Sequence, residues 1–279
     1  MTLLLIIDGD PLAHLACRYD RWQAKCKRED DKLLVNIGED GTKEHLEYTK
    51  EENRKYMEES WDNFLKLVES LQEKFYTNDY LMAVKGDGNF RMEIFPEYKA
   101  NRRRAAIARP DNRRTFVDAV TQLSVEEGMS EPAHGREADD LVRIWAENAI
   151  REKRDFIVCT IDKDLKCIPG RFYDPKKKEM FDISEEEAKR HYYEQILQGD
   201  QSDGIPGVPG MGPITAQKSL EGCVTDEDYQ ETIAGHYIAA YDKEWVEMLT
   251  LNGRLIHIQK TLDDVFSVED WAIVQELER

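Results

Sequence analysis

Acidic side chains follow three apolar runs of the sequence at the point where each run ends. Asp8 closes "TLLLIID", Asp87 closes "YLMAVKGD", and Asp162 and Asp164 lie at the end of "DFIVCTIDKD". Short apolar runs of this kind are typical of buried parallel strands. Ligands of open α/β sheets bind in the crevice outside the carboxyl ends of the strands. The sequence therefore predicts that these four carboxylates meet in one crevice.

Five more acids stand at places that the same crevice could reach. Glu137, Asp139 and Asp140 open a predicted helix, and Asp200 and Asp203 lie in a later loop. For any one of these acids, a helix cap or an interaction with the helix dipole is the better explanation.

The full set is harder to explain in that way. Two carboxylates 4 Å apart repel by about 4 kcal/mol at an effective dielectric constant of 20, so a cluster of nine destabilises the fold unless cations or protons neutralise it. Oxygen ligands favour hard divalent cations such as Mg²⁺. Two such ions about 3.5–4 Å apart stabilise the attacking and leaving oxygens of an in-line displacement at phosphorus.

A basic segment stands out from an otherwise acidic chain. The formal net charge of the protein is −18, yet the segment from Phe90 to Arg114 carries eight basic residues against three acidic ones. A segment of this charge is suited to binding phosphate, and together with the acids it predicts a protein that acts on a phosphodiester. The basic residues are Arg91, Lys99, Arg102, Arg103, Arg104, Arg109, Arg113 and Arg114.

A loop rich in glycine and proline follows the last two acids, in "GDQSDGIPGVPGMGPITAQKSL" at 199–220. Gly207, Gly210 and Gly212 lack side chains that would block close approach, and Pro213 suits the first turn of a helix. Backbone N–H groups at a helix start bind phosphate without reading base sequence. An ordinary turn between helices explains "GVPG" taken alone, but its position directly after two acids favours a phosphate contact.

The remaining pattern predicts how these segments are held. Apolar spacing over 50–76 predicts a long helix with a capping box at Thr49 and Glu52, and 136–152 predicts another. "RFYDPKKKEMFDI" at 171–183 predicts a hairpin, and a capping box at Ser184 and Glu187 opens a helix to about Gln198. Strands and helices alternate up to residue 183, which predicts an α/β fold with a mostly parallel sheet, and the chain is helical afterwards.

Composition limits the class of protein. No apolar run reaches the roughly 20 residues that cross a bilayer. The five cysteines are scattered without a CxxC pair, so reduced thiols in a cytoplasmic protein are expected and zinc is not. Residues 18–48 are polar, and a hairpin is predicted around "KLLVNIGEDGTKEHLEY".

The motifs taken together resemble the 5′ nucleases: phage 5′→3′ exonucleases, flap endonucleases and the 5′-nuclease domain of bacterial DNA polymerase I. The resemblance is carried by "IIDGD", "GDGNFRMEIFPEYKANR", "GREADD", "TIDKDL" and "GDQSDGIPGVPGMGPITA", in the order of the family, over roughly 1–17 and 80–220. It implies a PIN-like 5′-nuclease fold, with an α/β catalytic core over 1–184 and a helical region over 185–279 packed on it. It further implies a basic helical arch at about 88–118 and a DNA-holding helix–three-turn–helix element at about 185–220.

The resemblance also implies roles for individual residues. Two Mg²⁺ ions, replaceable by Mn²⁺, are expected at Asp8, Asp87, Glu137, Asp139, Asp140, Asp162, Asp164, Asp200 and Asp203, with Asp162 and Asp200 essential for cleavage. Tyr98 is expected to stack near the scissile nucleotide, and Lys99 and Arg102 to act on the scissile phosphate. The other DNA contacts are expected from Arg91, Arg103, Arg104, Gly207, Gly210 and Gly212, and K⁺ is expected at the helix–three-turn–helix.

The expected reaction is hydrolysis of DNA, and of RNA in hybrids, at a 5′ end, nick or 5′ flap. Because the chain stops without a polymerase and its motifs are most similar to those of phage replication proteins, a free-standing monomer in the host cytoplasm is expected, with no membrane partner. Gly204 and Asp10 depart from the family pattern, and the role of Asp10 stays open. Two alternatives remain: a phosphatase with Asp8 as nucleophile and Asp10 as acid, and a non-catalytic binder of branched DNA.

Overall fold

A six-stranded sheet lies at the centre of the computed structural model, which describes residues 2–17, 36–37, 43–44, 50–108 and 112–277. Its strands are β1 (Leu4–Asp8), β4 (Tyr80–Lys85), β5 (Glu131–Ala133), β6 (Phe156–Cys159), β7 (Gly170–Asp174) and β8 (Glu179–Ile183). They lie side by side in the order β5-β4-β1-β6-β7-β8. All neighbouring pairs are parallel except β7 and β8, which form an antiparallel hairpin. The prediction of a mostly parallel sheet is confirmed.

Helices pack on the sheet and continue beyond it. The helices of the first part are α1 (Gly9–Ala16), α2 (Lys50–Phe75), α3 (Phe90–Ile94), α4 (Ala100–Ala108), α5 (Asn112–Glu126) and α6 (Ala138–Arg151). Those of the second part are α7 (Glu185–Gln198), α8 (Pro213–Ser219), α9 (Asp226–Tyr241), α10 (Trp245–Ile256) and α11 (Ala272–Leu277). Short 3₁₀ turns cover Asp164–Cys167 and Asp242–Glu244.

Each face of the sheet has its own apolar core because side chains alternate along a strand. Leu4 and Ile6 of β1 pack in one cluster with residues of α6, and Leu5 and Ile7 pack in another with α1, α2 and α5. Four consecutive apolar residues are therefore buried on both sides, which is why the run reads as continuously hydrophobic. This double burial fixes where β1 ends, and hence where Asp8 lies.

A third cluster is built from the helices after residue 184. It contains Ile196, Ile233, Tyr237 and Leu249, and it also takes in Tyr98 from the basic segment. The basic segment is thus anchored to the helical region as well as to the sheet. The domain boundary near residue 184 stays a prediction.

Most predicted elements coincide with observed ones, and the exceptions are instructive. Strand β5 was not predicted because it has three residues, one of them Pro132, and lies at the sheet edge where proline is tolerated. Antiparallel strands β2 (Asn36–Ile37) and β3 (Lys43–Glu44) lie within the stretch predicted as a hairpin. The capping residue Thr49 lies outside the described residues, whereas the Ser184 capping box is present.

Two observations concern the residues that the structure describes. No helix there is long and apolar enough to cross a membrane. Cys159, Cys167 and Cys223 are free thiols.

The capping box of α7 gives a stability prediction. Ser184 Oγ accepts a hydrogen bond from the Glu187 amide at 3.1 Å, and the Glu187 carboxylate accepts one from the Ser184 amide at 2.8 Å. Ser184→Ala should lower the free energy of unfolding by about 1 kcal/mol, measured by urea denaturation, because it leaves a helix N–H unsatisfied. Ser70→Ala is the control, since Ser70 lies exposed inside α2, where alanine favours the helix. Equal stability of the two variants would contradict the capping role.

Candidate active site

Two adjoining clefts lie where the central parallel strands end. The inner cleft, of about 60 Å³, is lined by Arg91, Tyr98, Lys99, Arg102, Glu137, Asp139, Asp162, Asp164, Gln195, Asp200, Asp203, Ile205, Leu255, Ile256 and Ile258. The outer cleft, of about 650 Å³, is lined by Asp8, Asp10, Pro11, His14, Lys85, Gly86, Gly88, Asn89, Met92, Lys99, Arg102, Arg136, Glu137, Ala138, Asp139, Ile161, Asp162 and Lys163. Five side chains line both clefts: Lys99, Arg102, Glu137, Asp139 and Asp162.

The clefts bring together acids that are far apart in the chain. Asp8 ends β1, Asp162 follows β6, and Glu137 is the N-cap of α6. Asp200 and Asp203 arrive from the loop after α7. Seven of the nine predicted metal ligands line one or both clefts: Asp8, Glu137, Asp139, Asp162, Asp164, Asp200 and Asp203.

Asp87 and Asp140 are the two predicted ligands that the structure does not bring to these clefts. Asp87 is exposed beyond the end of β4, and its amide lies 3.4 Å from His134 Nδ1. Its neighbours Gly86 and Gly88 line the outer cleft, but its own side chain does not.

Asp140 is buried and bound to Arg91. The Arg91 guanidinium donates to both Asp140 oxygens, at 2.8 and 2.9 Å, and its remaining donors bind the carbonyls of Leu255 and His257. The same carboxylate accepts the amides of Glu137 and Gln259. Although burial opposes its charged form, hydrogen bonds and charge from Arg91 lower the pKa of Asp140.

This pair uses inside the protein the two side chains from which a DNA contact, for Arg91, and a metal ligand, for Asp140, were expected. Arg91 is only 2% exposed, and four of its five N–H donors are used inside the protein. A buried ion pair of this kind is strongly destabilising to break, since one partner is left as an uncompensated charge. Arg91 and Asp140 therefore hold the start of α6 in place.

Tyr98 is likewise buried and cannot stack on a nucleotide in this conformation. It is 2% exposed, it packs in the C-terminal cluster, and its hydroxyl donates to Glu137 Oε2 at 3.0 Å. Burial and the negative charge of Glu137 raise the pKa of Tyr98. The Tyr98 hydroxyl thus helps to hold the Glu137 carboxylate in place.

Lys99 and Arg102 connect the acids of the two halves of the inner cleft. Lys99 Nζ lies 2.5 Å from Glu137 Oε1 and 3.6 Å from Asp203 Oδ2, and Arg102 lies 2.5 Å from Asp203 Oδ1. Although burial opposes the charged form, both acids raise the pKa of Lys99. These two cations neutralise part of the acidic cluster.

The backbone at Lys99 is held in an unusual conformation. Its φ is +55°, a left-handed value that is uncommon for a residue with a side chain. The Lys99 amide donates to the Asp203 carbonyl at 2.7 Å. Strained backbone of this kind persists where surrounding contacts enforce it, as they do here between the basic segment and the loop after α7.

Arg103 and Arg104 are exposed but make contacts within the basic segment. Arg103 donates to the carbonyls of Tyr98 and Pro96, and Arg104 lies 3.2 Å from a Glu97 carboxylate oxygen. DNA contacts of these two residues stay a prediction.

Asp8 and Asp139 are the cleft acids whose charged forms are most strongly disfavoured. Burial, together with the charges of Asp10 and Asp162, raises the pKa of Asp8 to about 8, although Thr160 Oγ1 donates to it at 2.8 Å. Burial and the charges of Asp8 and Asp162 raise the pKa of Asp139 well above its usual range. Mutual repulsion between carboxylates was the reason to expect a cation here. That repulsion contributes to the raised pKa values of both Asp8 and Asp139.

The glycine loop joins α7 to α8, and its three glycines have different surroundings. Gly207 is buried with φ +61°, and a Cβ there would lie 2.4 Å from backbone atoms of Gln198 and Gly199. Its amide donates to Asn252 Oδ1 and its carbonyl accepts from Tyr241. Gly207 is therefore needed for packing, and its expected DNA contact stays a prediction. Gly210 and Gly212 face open space, so their DNA contacts stay a prediction.

Three residues that hold acids of the clefts in place were not predicted from the sequence. Asn89 Oδ1 caps α3, and its Nδ2 donates to Glu137 Oε1 at 2.8 Å. Thr160 holds Asp8, and Gln195 Nε2 donates to Asp164 at 2.8 Å. Only Asn89 had a signal, because asparagine before a helical segment is a favourable N-cap.

The role of Asp10 is answered by its contacts. Its two oxygens lie 3.2 and 3.1 Å from the Lys85 amide, so it joins the start of α1 to the end of β4. Burial raises the pKa of Asp10, and the Lys85 amide opposes that change.

The donors of the clefts suit a hard divalent cation by type and charge. They are carboxylate oxygens, and no cysteine lines either cleft. In the part of the chain that the structure describes, no three acidic, histidine or cysteine side chains are grouped so as to hold a metal as they stand. Glu137 and Asp203 instead bind Lys99 and Arg102, which supply positive charge at the same place.

Comparison with known proteins identifies the family. A model of the 5′-3′ exonuclease N-terminal, resolvase-like domain matches residues 43–193, more than half of the chain. The chain belongs to the 5′-3′ exonuclease family. Among its relatives, DNA polymerase I of Bacillus caldotenax is 32% identical over 203 residues, which is 67% of this chain and 23% of the polymerase. The exonuclease of Escherichia phage T7 is 28% identical over 154 residues, 54% of this chain and 50% of that protein.

A solved structure shows the same fold as this family member. The bacteriophage T5 D15 flap endonuclease, in a pseudo-enzyme-product complex with DNA and metal ions, superposes with a TM-score of 0.60 at 16% identity, covering 91% of this chain and 88% of that one. The α/β fold is therefore confirmed, whereas the helix–three-turn–helix element stays a prediction. This chain spans less than a quarter of the Bacillus polymerase.

The raised pKa of Asp8 predicts how stability depends on pH without divalent cations. Its pKa in the folded protein is about 8, above the 3.8 of an exposed aspartate, so its contribution is complete below pH 4 and is lost as pH rises through 8. With EDTA present, the free energy of unfolding should therefore fall between pH 4 and 8, by up to about 1.4 kcal/mol per pH unit from this group. Urea denaturation at several pH values measures it.

Asp8→Asn should flatten this dependence, because asparagine keeps the shape without the charge. Asp182→Asn is the matched control, since Asp182 is exposed on β8 away from both clefts. A slope for Asp8→Asn as steep as that of the control would contradict the assignment.

Proposed function

We propose that the protein is a structure-specific 5′ nuclease that hydrolyses phosphodiester bonds at DNA 5′ ends, nicks or 5′ flaps with the help of two Mg²⁺ ions. The observation that carries the proposal is the inner cleft, where acids from three segments meet Lys99 and Arg102. Carboxylates alone would repel a phosphodiester, and basic residues alone would bind it without catalysing its hydrolysis. Both are present in one cleft, and the family is one of 5′-3′ exonucleases.

The acids of the clefts are the proposed metal ligands. Divalent ions bound there would stabilise the attacking and leaving oxygens of the displacement. The ligands proposed are Asp8, Glu137, Asp139, Asp162, Asp164, Asp200 and Asp203. One structural neighbour, a 5′-exonuclease of phage T5, has divalent metal ions bound, which supports metal dependence.

Lys99 and Arg102 are the proposed phosphate ligands. Both line the two clefts, so a phosphate in either cleft lies within their reach. Their present partners are Glu137 and Asp203, the acids proposed to bind metal. A divalent cation on those acids would free the two side chains to neutralise the phosphodiester. Lys99 and Arg102 would then hold the scissile phosphate over the acids.

Two features oppose the phosphatase alternative. Asp10, its general acid, accepts the Lys85 amide with both oxygens. Asp8, its nucleophile, is 3% exposed and hydrogen-bonded to Thr160. A role in phage replication, cleavage of RNA in hybrids, a K⁺ site and a monomeric state are further parts of the proposal that rest on the resemblance of the sequence motifs alone.

The decisive assay uses DNA carrying a 5′ label on a flap or at a nick, with Mg²⁺ or with EDTA. Cleavage is expected with Mg²⁺ only. Asp162→Asn and Asp200→Asn should each lower the single-turnover rate by more than about 100-fold while DNA binding survives, since each removes charge worth several kcal/mol to the transition state.

Asp182→Asn, outside both clefts, should cleave at the wild-type rate. Undiminished cleavage by Asp162→Asn would refute the site. Stable phosphorylation of Asp8 would support the phosphatase instead, and binding without cleavage would support the non-catalytic alternative.

Divalent cations should also stabilise the fold, because they neutralise repelling acids. Mg²⁺ or Ca²⁺ at 100 times its dissociation constant should add about 2.7 kcal/mol to the free energy of unfolding and raise the melting temperature accordingly. The gain should shrink in Asp162→Asn and persist in Asp182→Asn. A melting temperature that is independent of cation concentration would contradict the proposed metal site.

A further inference from the structure

Arg136 is a cation of the outer cleft to which no role has yet been given. It directly precedes Glu137, the N-cap of α6, and its side chain is partly buried in the cleft wall. The outer cleft is the larger of the two and is continuous with the inner one through five shared side chains.

Arg136 differs from the neighbouring cations in its partners. Lys85 pairs with Asp118, and Lys99 and Arg102 pair with acids of the inner cleft. Arg136 instead donates to the Gln259 side-chain oxygen at 2.8 Å and lies 3.5 Å from the Leu262 carbonyl. Both acceptors are neutral. Within the residues that the structure describes, Arg136 forms no ion pair, so no single carboxylate occupies its guanidinium.

Gln259 fixes the direction of this charge. It is 6% exposed, and its Nε2 donates to the Asp264 carbonyl at 2.9 Å. Because an amide nitrogen can only donate to a carbonyl, the Gln259 oxygen must face Arg136. The Gln259 backbone amide is tied in turn to Asp140 at 3.0 Å.

The hydrogen bond to Gln259 distinguishes Arg136 from Lys163, which also lines the outer cleft and forms no ion pair with a described residue. Lys163 is exposed, and among the described residues no hydrogen bond or ion pair holds its side chain in one place. An arginine that is already oriented loses less conformational entropy when it binds an anion, and its planar fork matches a phosphate group.

We propose that Arg136, held by Gln259, binds a backbone phosphate of the DNA strand that occupies the outer cleft. The inference rests on the proposed function, since it takes nucleic acid as the ligand. It adds Arg136 to Lys99 and Arg102 as a phosphate-binding residue of the outer cleft. It also gives the C-terminal segment, which lies beyond the family match, a part in substrate binding.

The test measures equilibrium binding of 5′-flap DNA in EDTA over a series of salt concentrations. Arg136→Gln should bind roughly tenfold more weakly at low salt, as expected for the loss of one charged hydrogen bond. The slope of log K against log salt should become shallower by about 0.7–0.9, because one fewer counterion is released.

Two further variants make the outcome decisive. Gln259→Glu keeps Arg136 but places a carboxylate against it, and it should lower affinity and slope as Arg136→Gln does. This variant decides the matter if Arg136→Gln does not fold. Arg254→Gln is the matched control, because Arg254 donates to the neutral Phe266 carbonyl and lines neither cleft, so the same loss of charge should leave binding unchanged.

The results separate the two proposals. Wild-type protein that neither binds nor cleaves flap DNA would overturn the proposed function. If the wild type binds and cleaves, but Arg136→Gln and Gln259→Glu keep the affinity and salt slope of Arg254→Gln, the role of Arg136 is overturned and the nuclease proposal stands.

Discussion

Repulsion among carboxylates at the end of a parallel sheet is the constraint on which the rest of this structure depends. Burial raises the pKa values of Asp8 and Asp139, and the charge of Asp162 adds to both shifts. Burying such a group is unfavourable unless positive charge is supplied nearby. The segment that follows β4 supplies part of it, because Lys99 and Arg102 pair with acids of the inner cleft.

That segment uses its basic residues for two different purposes. Arg91 lies in the interior, where it neutralises Asp140 and binds two carbonyls of the C-terminal segment. Lys99 and Arg102 stand a few residues later at the edge of the clefts, paired with acids that a metal would also seek. The first pairing is buried and permanent, whereas the second is partly open to solvent. The difference in burial separates a residue that builds the site from residues that can act in it.

The sequence predicted the convergence of acids well because the rule behind it is topological. Strands that run parallel must end at the same edge, so Asp8 and Asp162 could be placed together from their neighbours alone. Asp140 could not be separated from Asp139 in this way, since adjacent residues at a helix start differ by only 100° in direction. The burial of Arg91 and Tyr98 could not be predicted from the sequence either. Their partners lie more than 100 residues away or in another element. A run of charge indicates a solvated surface unless its tertiary partners are known.

The surroundings of Gly207 could not be predicted from the sequence either, because they depend on tertiary partners. A loop with several glycines predicts close approach of something, but not whether that is a ligand or the protein's own backbone. Here the neighbour is the end of α7, and the amide is already used by Asn252.

The long reach of the Asp140 network bears on how the protein is made. Arg91 and Asp140 bind backbone groups of Leu255, His257 and Gln259, which are synthesised well over 100 residues after either of them. Until those residues have left the ribosome, the guanidinium lacks its carbonyl partners and Asp140 lacks the Gln259 amide. The network behind the two clefts is thus complete only after Gln259 has emerged, and a shorter nascent chain holds the acids and cations of the clefts less firmly.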